Sequence, residues 1–247
     1  MKYLILGASS GLGRDLAYIF AKNSHSLVLL SRDERDLKTL RLDLLNKFKT
    51  KIDILMIDAS SKDNVNNFLS TNDELFQDLD GILFPIGMMV DNDNVKNTNE
   101  TNNKIVQANY LSVVEFTNKA LKVFEKKNKG TIVGFGTVSA SLGRAVNTFY
   151  SGSKRALESY FESLSSTFLK SNLKIQFYTL GYLDTNLTFD KKLILPKAST
   201  KKLANKVYQN INKENLKRYY PFWWGFICLV IKVTPFFILK KITKFIN

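Results

Sequence analysis

Apolar, β-branched runs alternate along the chain with segments whose apolar residues recur every three or four positions. The short runs predict strands at 2–6, 26–31, 52–57, 81–86, 130–136 and 173–180, with one more at 216–220. The amphipathic segments predict helices at 11–23, 34–48, 62–70, 100–127, 149–171 and 199–212. Strands alternating with helices imply right-handed βαβ units. The fold class is therefore α/β, a parallel sheet of about seven strands with helices on both faces. No internal repeat and no Pro/Gly/Ser-rich linker divides the pattern. The Asn-rich stretch 91–103, DNDNVKNTNETNN, reads as a polar surface loop running into a helix start. Residues 1–220 are expected to form one domain, and 221–247 a C-terminal appendage.

Composition narrows this picture in three places. At 247 residues and 45% hydrophobic content the chain can bury a full core without staples. Cys228 is the only cysteine, which excludes intramolecular disulfides and Cys-rich metal sites; no metal is expected. His25 is the only histidine, so a Ser-His-Asp triad would have to use it, and its place before an apolar run reads as a strand edge. The apolar run from Tyr3 to Leu6 is broken at once by glycine, too short for a signal-peptide core, so the expectation is a cytoplasmic protein. The charge is lopsided. Residues 191–247 carry 13 Lys/Arg against Glu214 alone, a net +12 of the total +14. Such a basic quarter calls for an anionic partner, a nucleic acid or a membrane surface.

The first strand and helix are joined by GASSGLG. Gly7, Gly11 and Gly13 would permit a tight turn and close approach of a pyrophosphate to the helix N-terminus, with Ser9, Ser10 and Leu12 in the same loop. The second strand ends in Ser31 and Arg32. Arginine there suits the 2′-phosphate of NADP(H), which is favoured over NAD(H). The competing reading gives the ribose to Asp33 or Glu34 and leaves Arg32 a solvated charge. Asp58, in LMIDAS, is placed to meet an adenine amino group; its alternative is a helix N-cap. Further on, Tyr150 and Lys154 stand at i and i+4, one face of a helix. A cation beside a phenol would draw its pKa from about 10 toward neutrality and make Tyr150 a proton donor and acceptor.

Four elements in this order, GASSGLG, Asn109 in QANYLSVVEFT, GTVSASLGRAVNTFYSGSK and LGYLDT, resemble the short-chain dehydrogenase/reductase family across almost the whole chain. The resemblance implies a Rossmann-type doubly wound sheet and an NAD(P)-dependent enzyme acting on a CH–OH/C=O pair. It implies that Tyr150 is the general acid, that Lys154 binds the nicotinamide ribose, and that Asn109 holds a water leading to Lys154. Gly181, Leu183 and Thr185 would line the nicotinamide, and Ala59 and Gly87 other parts of the cofactor. Thr137 stands where the family usually has serine and keeps its hydroxyl; Ser139 would need a shifted register. FPIG replaces the family's Asn-Asn-Ala-Gly, and Leu180 its proline. GRAVNTFYSGSK, TNLTFDKKLILP and the hydrophobic tail look closest to reductases of lipid-linked keto-sugars, such as the decaprenylphosphoryl keto-ribose reductase.

From Tyr219 to Leu239 Lys232 is the only charge, and Pro221 and Pro235 lie within the stretch. Lys240, Lys241 and Lys244 stand beside Phe236, Ile238, Ile242 and Phe245. Aromatic and aliphatic bulk flanked by lysines fits an interfacial helix pair on the anionic inner face of a membrane, through residues 221–247. A pair packed in the core or in a homo-oligomer, or a true span, are the alternatives. Nucleic acid is disfavoured, because the aromatics form a block and do not alternate with basic residues. The readings are thus a reductase of a hydrophobic ketone, a soluble-substrate ketoreductase such as a 3-oxoacyl reductase, or a nucleotide-sensing protein without catalysis.

Overall fold

The computed structural model describes residues 1–246 apart from 92, 97, 144–145, 186–187 and 189–194, with side chains described as far as residue 241. Seven strands form one sheet in the order β3-β2-β1-β4-β5-β6-β7, and all six pairings are parallel. The strands are β1 (Lys2–Leu6), β2 (Ser26–Ser31), β3 (Ile52–Met56), β4 (Gly81–Phe84), β5 (Gly130–Thr137), β6 (Leu173–Leu180) and β7 (Leu216–Tyr220). Strand order reverses at β1 and β4, the switch point outside which a doubly wound sheet binds its ligand.

Side chains alternate along each strand and feed two cores. Tyr3, Ile5, Leu27 and Leu29 face the layer of α1 (Gly11–Lys22), α2 (Glu34–Lys47) and α8 (Thr200–Asn210). Leu4, Leu6, Val28 and Leu30 face the layer of α3 (Lys62–Thr71), α4 (Asp73–Gln77), α6 (Ser112–Lys127) and α7 (Thr148–Thr167). Both faces are covered, which is why these strands read as continuous apolar runs.

Three departures from the sequence pattern have local causes. Strand β4 stops at Phe84, because Pro85 cannot donate to a ladder. The expected helix 100–127 is two helices, α5 (Asn99–Val106) and α6, joined by a π turn at Gln107–Leu111. The Asn-rich stretch is not all surface: Asp93 is wholly buried. The tail forms α9 (Trp224–Val233) and α10 (Phe236–Ile246), separated at Pro235. Among the described residues no helix is long and apolar enough to cross a membrane. His25 is a packing residue, its ring against Tyr3, Phe20 and Tyr208, and burial lowers its pKa.

Candidate active site

The carboxyl ends of the strands gather the sequence-marked residues. After β1 the backbone turns at Gly7, φ +95°, held by its N–H to the Leu30 carbonyl at 2.8 Å. A Cβ on Gly13 would fall 1.9 Å from the Gly7 carbonyl oxygen, so loop and helix meet closer than any side chain allows. Ser10 caps α1 without a side-chain bond, and the first turn holds no acidic residue. Those N–H groups and the helix dipole are left facing outward, as an anion requires. Ser9 and Ser31 hydroxyls meet at 2.8 Å and pin the loop to the end of β2. Leu12 is buried beneath the loop.

Beyond Ser31, Arg32 is exposed. Its acidic neighbours already have partners: Asp33 caps α2 by accepting from the Asp36 N–H at 2.9 Å, and Glu34 pairs with Lys38 at 2.8 Å. A cavity of about 220 Å³ lies beside the loop, lined by Ser9, Ser10, Arg14, Asp36 and Thr39 among others. Arg14 is a cation the sequence reading passed over, although it directly follows Gly13. Asp58 is not an N-cap. Ser61 caps α3, while Asp58 accepts from the N–H and hydroxyl of Ser60 at 2.9 and 2.7 Å. Ala59 is buried beside it, and Gly87 is exposed after β4.

Asn109 sits fully buried in the π turn, a distortion that concentrates at functional sites. Its carboxamide accepts from the Met88 N–H at 2.9 Å and donates to the Met88 carbonyl at 2.7 Å. Both arms are therefore engaged in holding the post-β4 loop, and a water leading to Lys154 would have to share these atoms or rest on main chain.

Thr137 ends β5, and its hydroxyl bonds both Ser139 and the Tyr150 phenol. Ser139 is thus the partner of Thr137. Lys154 is 3% exposed and donates to the carbonyls of Ile86 at 2.9 Å and Phe135 at 3.1 Å. Burial pushes its pKa down to about 7. The sequence expectation that Lys154 lowers the Tyr150 pKa is not met here. Burial raises the phenol, the Thr137 bond offsets part of that, and the lysine does not contribute. The amine is held on one carbonyl of β5 and one of the loop after β4, and the half-buried phenol keeps its proton.

What positions Tyr150 is a residue with no motif. The N-cap of α7, Asn147, makes no side-chain cap bond. Asp93 takes over from 57 residues away: its carboxylate accepts from the Phe149 and Tyr150 N–H groups at 3.0 and 2.8 Å. Its carbonyl accepts from Thr148 at 3.2 Å. A buried charge bonded to a helix N-terminus is stabilising, and cutting it orphans two N–H groups. Asp93→Ala is expected to cost about 2–4 kcal/mol in denaturant unfolding.

The last wall comes from β6 and the tail. Thr185 lies over the glycine loop, its Cγ2 3.3 Å from a Cβ built on Gly11. Leu183 is buried and bridges to Ala198. Gly181 carries the Trp224 indole against it, so close that a Cβ would fall 1.9 Å from Nε1. Most of TNLTFDKKLILP, and Arg144 and Ala145 of GRAVN, lie outside the described residues.

Residues 2–193 match the short chain dehydrogenase family. The chain belongs to that family. A dehydrogenase/reductase SDR family protein 7-like protein of Anopheles gambiae is 28% identical over 191 residues, 76% of this chain and 60% of its own length. The chain thus spans about three fifths of that relative. A very-long-chain 3-oxoacyl-CoA reductase of Vanderwaltozyma polyspora is 23% identical over 265 residues, covering 99% of this chain and 74% of the relative. Among solved structures, a short-chain dehydrogenase from Sphingobium yanoikuyae in complex with NADPH superposes with a TM-score of 0.80. Its identity is 20%, with 89% of this chain and 87% of that chain covered, a likeness of fold.

Proposed function

We propose that the chain reduces a ketone to an alcohol with NADPH, on a hydrophobic substrate at a membrane face. The carrying observation is the convergence of Tyr150, Thr137 and Lys154 on one side of an open, uncapped glycine loop. When bound, the reduced nicotinamide supplies the hydride. The protein's own part is to hold and move a proton. Thr137 would orient the substrate oxygen, and Tyr150, kept protonated by burial, would deliver its phenolic proton to that oxygen. An ammonium has three N–H bonds, and two of Lys154's are spent on carbonyls. The third would meet a ribose hydroxyl.

The loop, the open α1 N-terminus and Arg32 fit a dinucleotide with a 2′-phosphate, and NADPH in the Sphingobium neighbour supports that reading. Asp36 in the adjoining cavity is the feature that suits NAD(H). Arg32→Ala is expected to weaken NADPH about tenfold or more, the loss of a charge-assisted bond. NADH affinity should change little, and equal losses for both would make Arg32 structural.

The apolar tail supports a lipid-linked ketone such as a keto-sugar. The name of the Vanderwaltozyma polyspora relative favours a second reading, a long 3-oxoacyl thioester. Assays of NADPH oxidation with membrane lipid extracts, long-chain 3-oxoacyl thioesters and small soluble ketones separate these readings, and activity with soluble ketones alone would remove both.

A further inference from the structure

Helix α9 is apolar on two opposite stripes. Trp224 and Cys228 on the inner stripe are buried, with Ile227 and Ile231 partly so. Phe226, Leu229, Val230 and Val233 on the outer stripe are 45–71% exposed. The spacing of both sets is i, i+3, i+4, i+7, two faces of one helix. A helix apolar all round belongs inside a protein or against lipid, yet the outer stripe is left largely exposed.

The inner stripe lies across the carboxyl ends of β5, β6 and β7, whose last residues Thr137, Leu180 and Tyr220 are neighbours in the sheet. Trp224 presses on Gly181, Val138 shares the same small core, and the Ser141 hydroxyl donates to Cys228 Sγ at 3.1 Å. These contacts flank Thr137 directly. The Trp224 indole N–H is buried against Gly181 and meets no acceptor among the described residues.

The outer surface continues beyond α9. Phe222 is 86% exposed, Phe236 75% and Phe237 67%. Lys232, Lys240 and Lys241 are exposed on the same two helices, and no acidic residue follows Glu214. Phe222 also borders a groove of about 320 Å³ whose rim carries Lys206 and Arg218. Lys217 in the same groove is already paired with Glu158 and Glu162, whereas the surface of α9 and α10 carries lysines and no acidic side chain of its own. Apolar bulk flanked by such cations is complementary to acyl chains beneath anionic headgroups.

We propose that the outer stripe of α9, with Phe222 and α10, docks on an anionic lipid bilayer, so that α9 holds the mouth of the active site against the membrane. The docking stands on the surface alone; the second clause rests on the hydride-transfer reading. The substrate's polar carbonyl would reach Thr137 past Trp224 while its chain stays in lipid.

The test uses full-length protein and phosphatidylcholine vesicles with and without phosphatidylglycerol. Wild type should sediment with the anionic vesicles and be released by salt, as screening lengths shrink to about 8 Å at physiological ionic strength. Lys240→Glu with Lys241→Glu should weaken binding about 30-fold or more. Phe226→Ser with Val233→Ser, both on the exposed stripe, should lose vesicle binding and retain NADPH affinity. That variant should also retain turnover of a small soluble ketone and lose turnover of a long-chain ketone embedded in vesicles. Indifference of the wild type to both vesicle types overturns the docking. If the protein is then a dimer that Phe226→Ser with Val233→Ser dissociates, the surface belongs to a second copy of the chain. Unchanged turnover of the embedded ketone in the variant overturns the coupling. Vesicle binding as described with no ketone reduced in any assay upholds the docking and overturns the hydride-transfer reading.

Discussion

Tyr150→Phe is expected to lower kcat by about 10²–10⁴, the worth of a general acid, with NADPH affinity unchanged. The substitution removes one oxygen. Its two main consequences are separable by position: the phenol bonds Thr137 at the end of β5, whereas Tyr150's backbone N–H is held by Asp93 and is untouched by the change. The helix therefore stays in place, and the glycine loop, held by the Gly7 N–H to Leu30 and by Ser9 to Ser31, does not depend on the phenol. A raised phenol pKa also sets the pH dependence. The proton-donating form is the protonated one, so the phenol should limit kcat/KM for reduction only on the alkaline side of its ordinary value near 10, and a fall between about 7 and 10 would report loss of the Lys154 ammonium. A variant keeping more than about half of the wild-type kcat would take the proton-donor role away from Tyr150.

The second large effect concerns Lys154. Its folded pKa of about 7 lies far below the value near 10.4 of an unfolded lysine. Between those values the unfolded chain binds the extra proton, so stability should rise with pH from about 7 upward and be lowest below 7. The slope is at most about 1.4 kcal/mol per pH unit. The total penalty is at most about 5 kcal/mol. In Lys154→Met this slope should vanish, whatever the variant's absolute stability, because the remaining titrations cancel in the difference. Urea unfolding of the cofactor-free proteins at pH 7 and 8.5 reads it, and parallel pH dependences in the two would show that the amine is not desolvated. Turnover should drop about 100-fold or more in the same variant, since the group proposed to meet the ribose hydroxyl is gone.

The layered sheet was legible because both of its faces are covered: strands such as Leu4 to Leu6 and Leu27 to Leu30 could only be apolar at every position. The glycine loop was legible for a similarly local reason, a turn whose backbone approach tolerates no Cβ at Gly13. Three features were hidden. The π turn around Asn109 interrupts an amphipathic pattern that runs on through 100–127, since one inserted residue leaves the apolar spacing nearly intact. Asp93 sits among asparagines that read as solvent-exposed, and its function depends on α7, which no nearby residue announces. The tail's apolar character was plain, but its contact with the site was not, because Val138, Ser141 and Gly181 are distant in sequence from Trp224 and Cys228. The expected Lys154–Tyr150 coupling failed for a related reason. Spacing of i and i+4 puts two side chains on one helix face, but Ile86 and Phe135 decide where the ammonium goes.

The central claim is that this chain moves a hydride to a ketone carbon while Tyr150 protonates the oxygen. It is tested most directly with NADPH deuterated at C4 of the nicotinamide and a long-chain ketone in vesicles, the alcohol being weighed by mass spectrometry. The account predicts one deuterium on the carbinol carbon of the product with wild type, and its formation slowed by about 10²–10⁴ with Tyr150→Phe. Tight binding of NADPH with no deuterium carried to that ketone, to lipid-extract ketones or to soluble ones would contradict it, and the chain would then be a dinucleotide-binding protein without reductase activity.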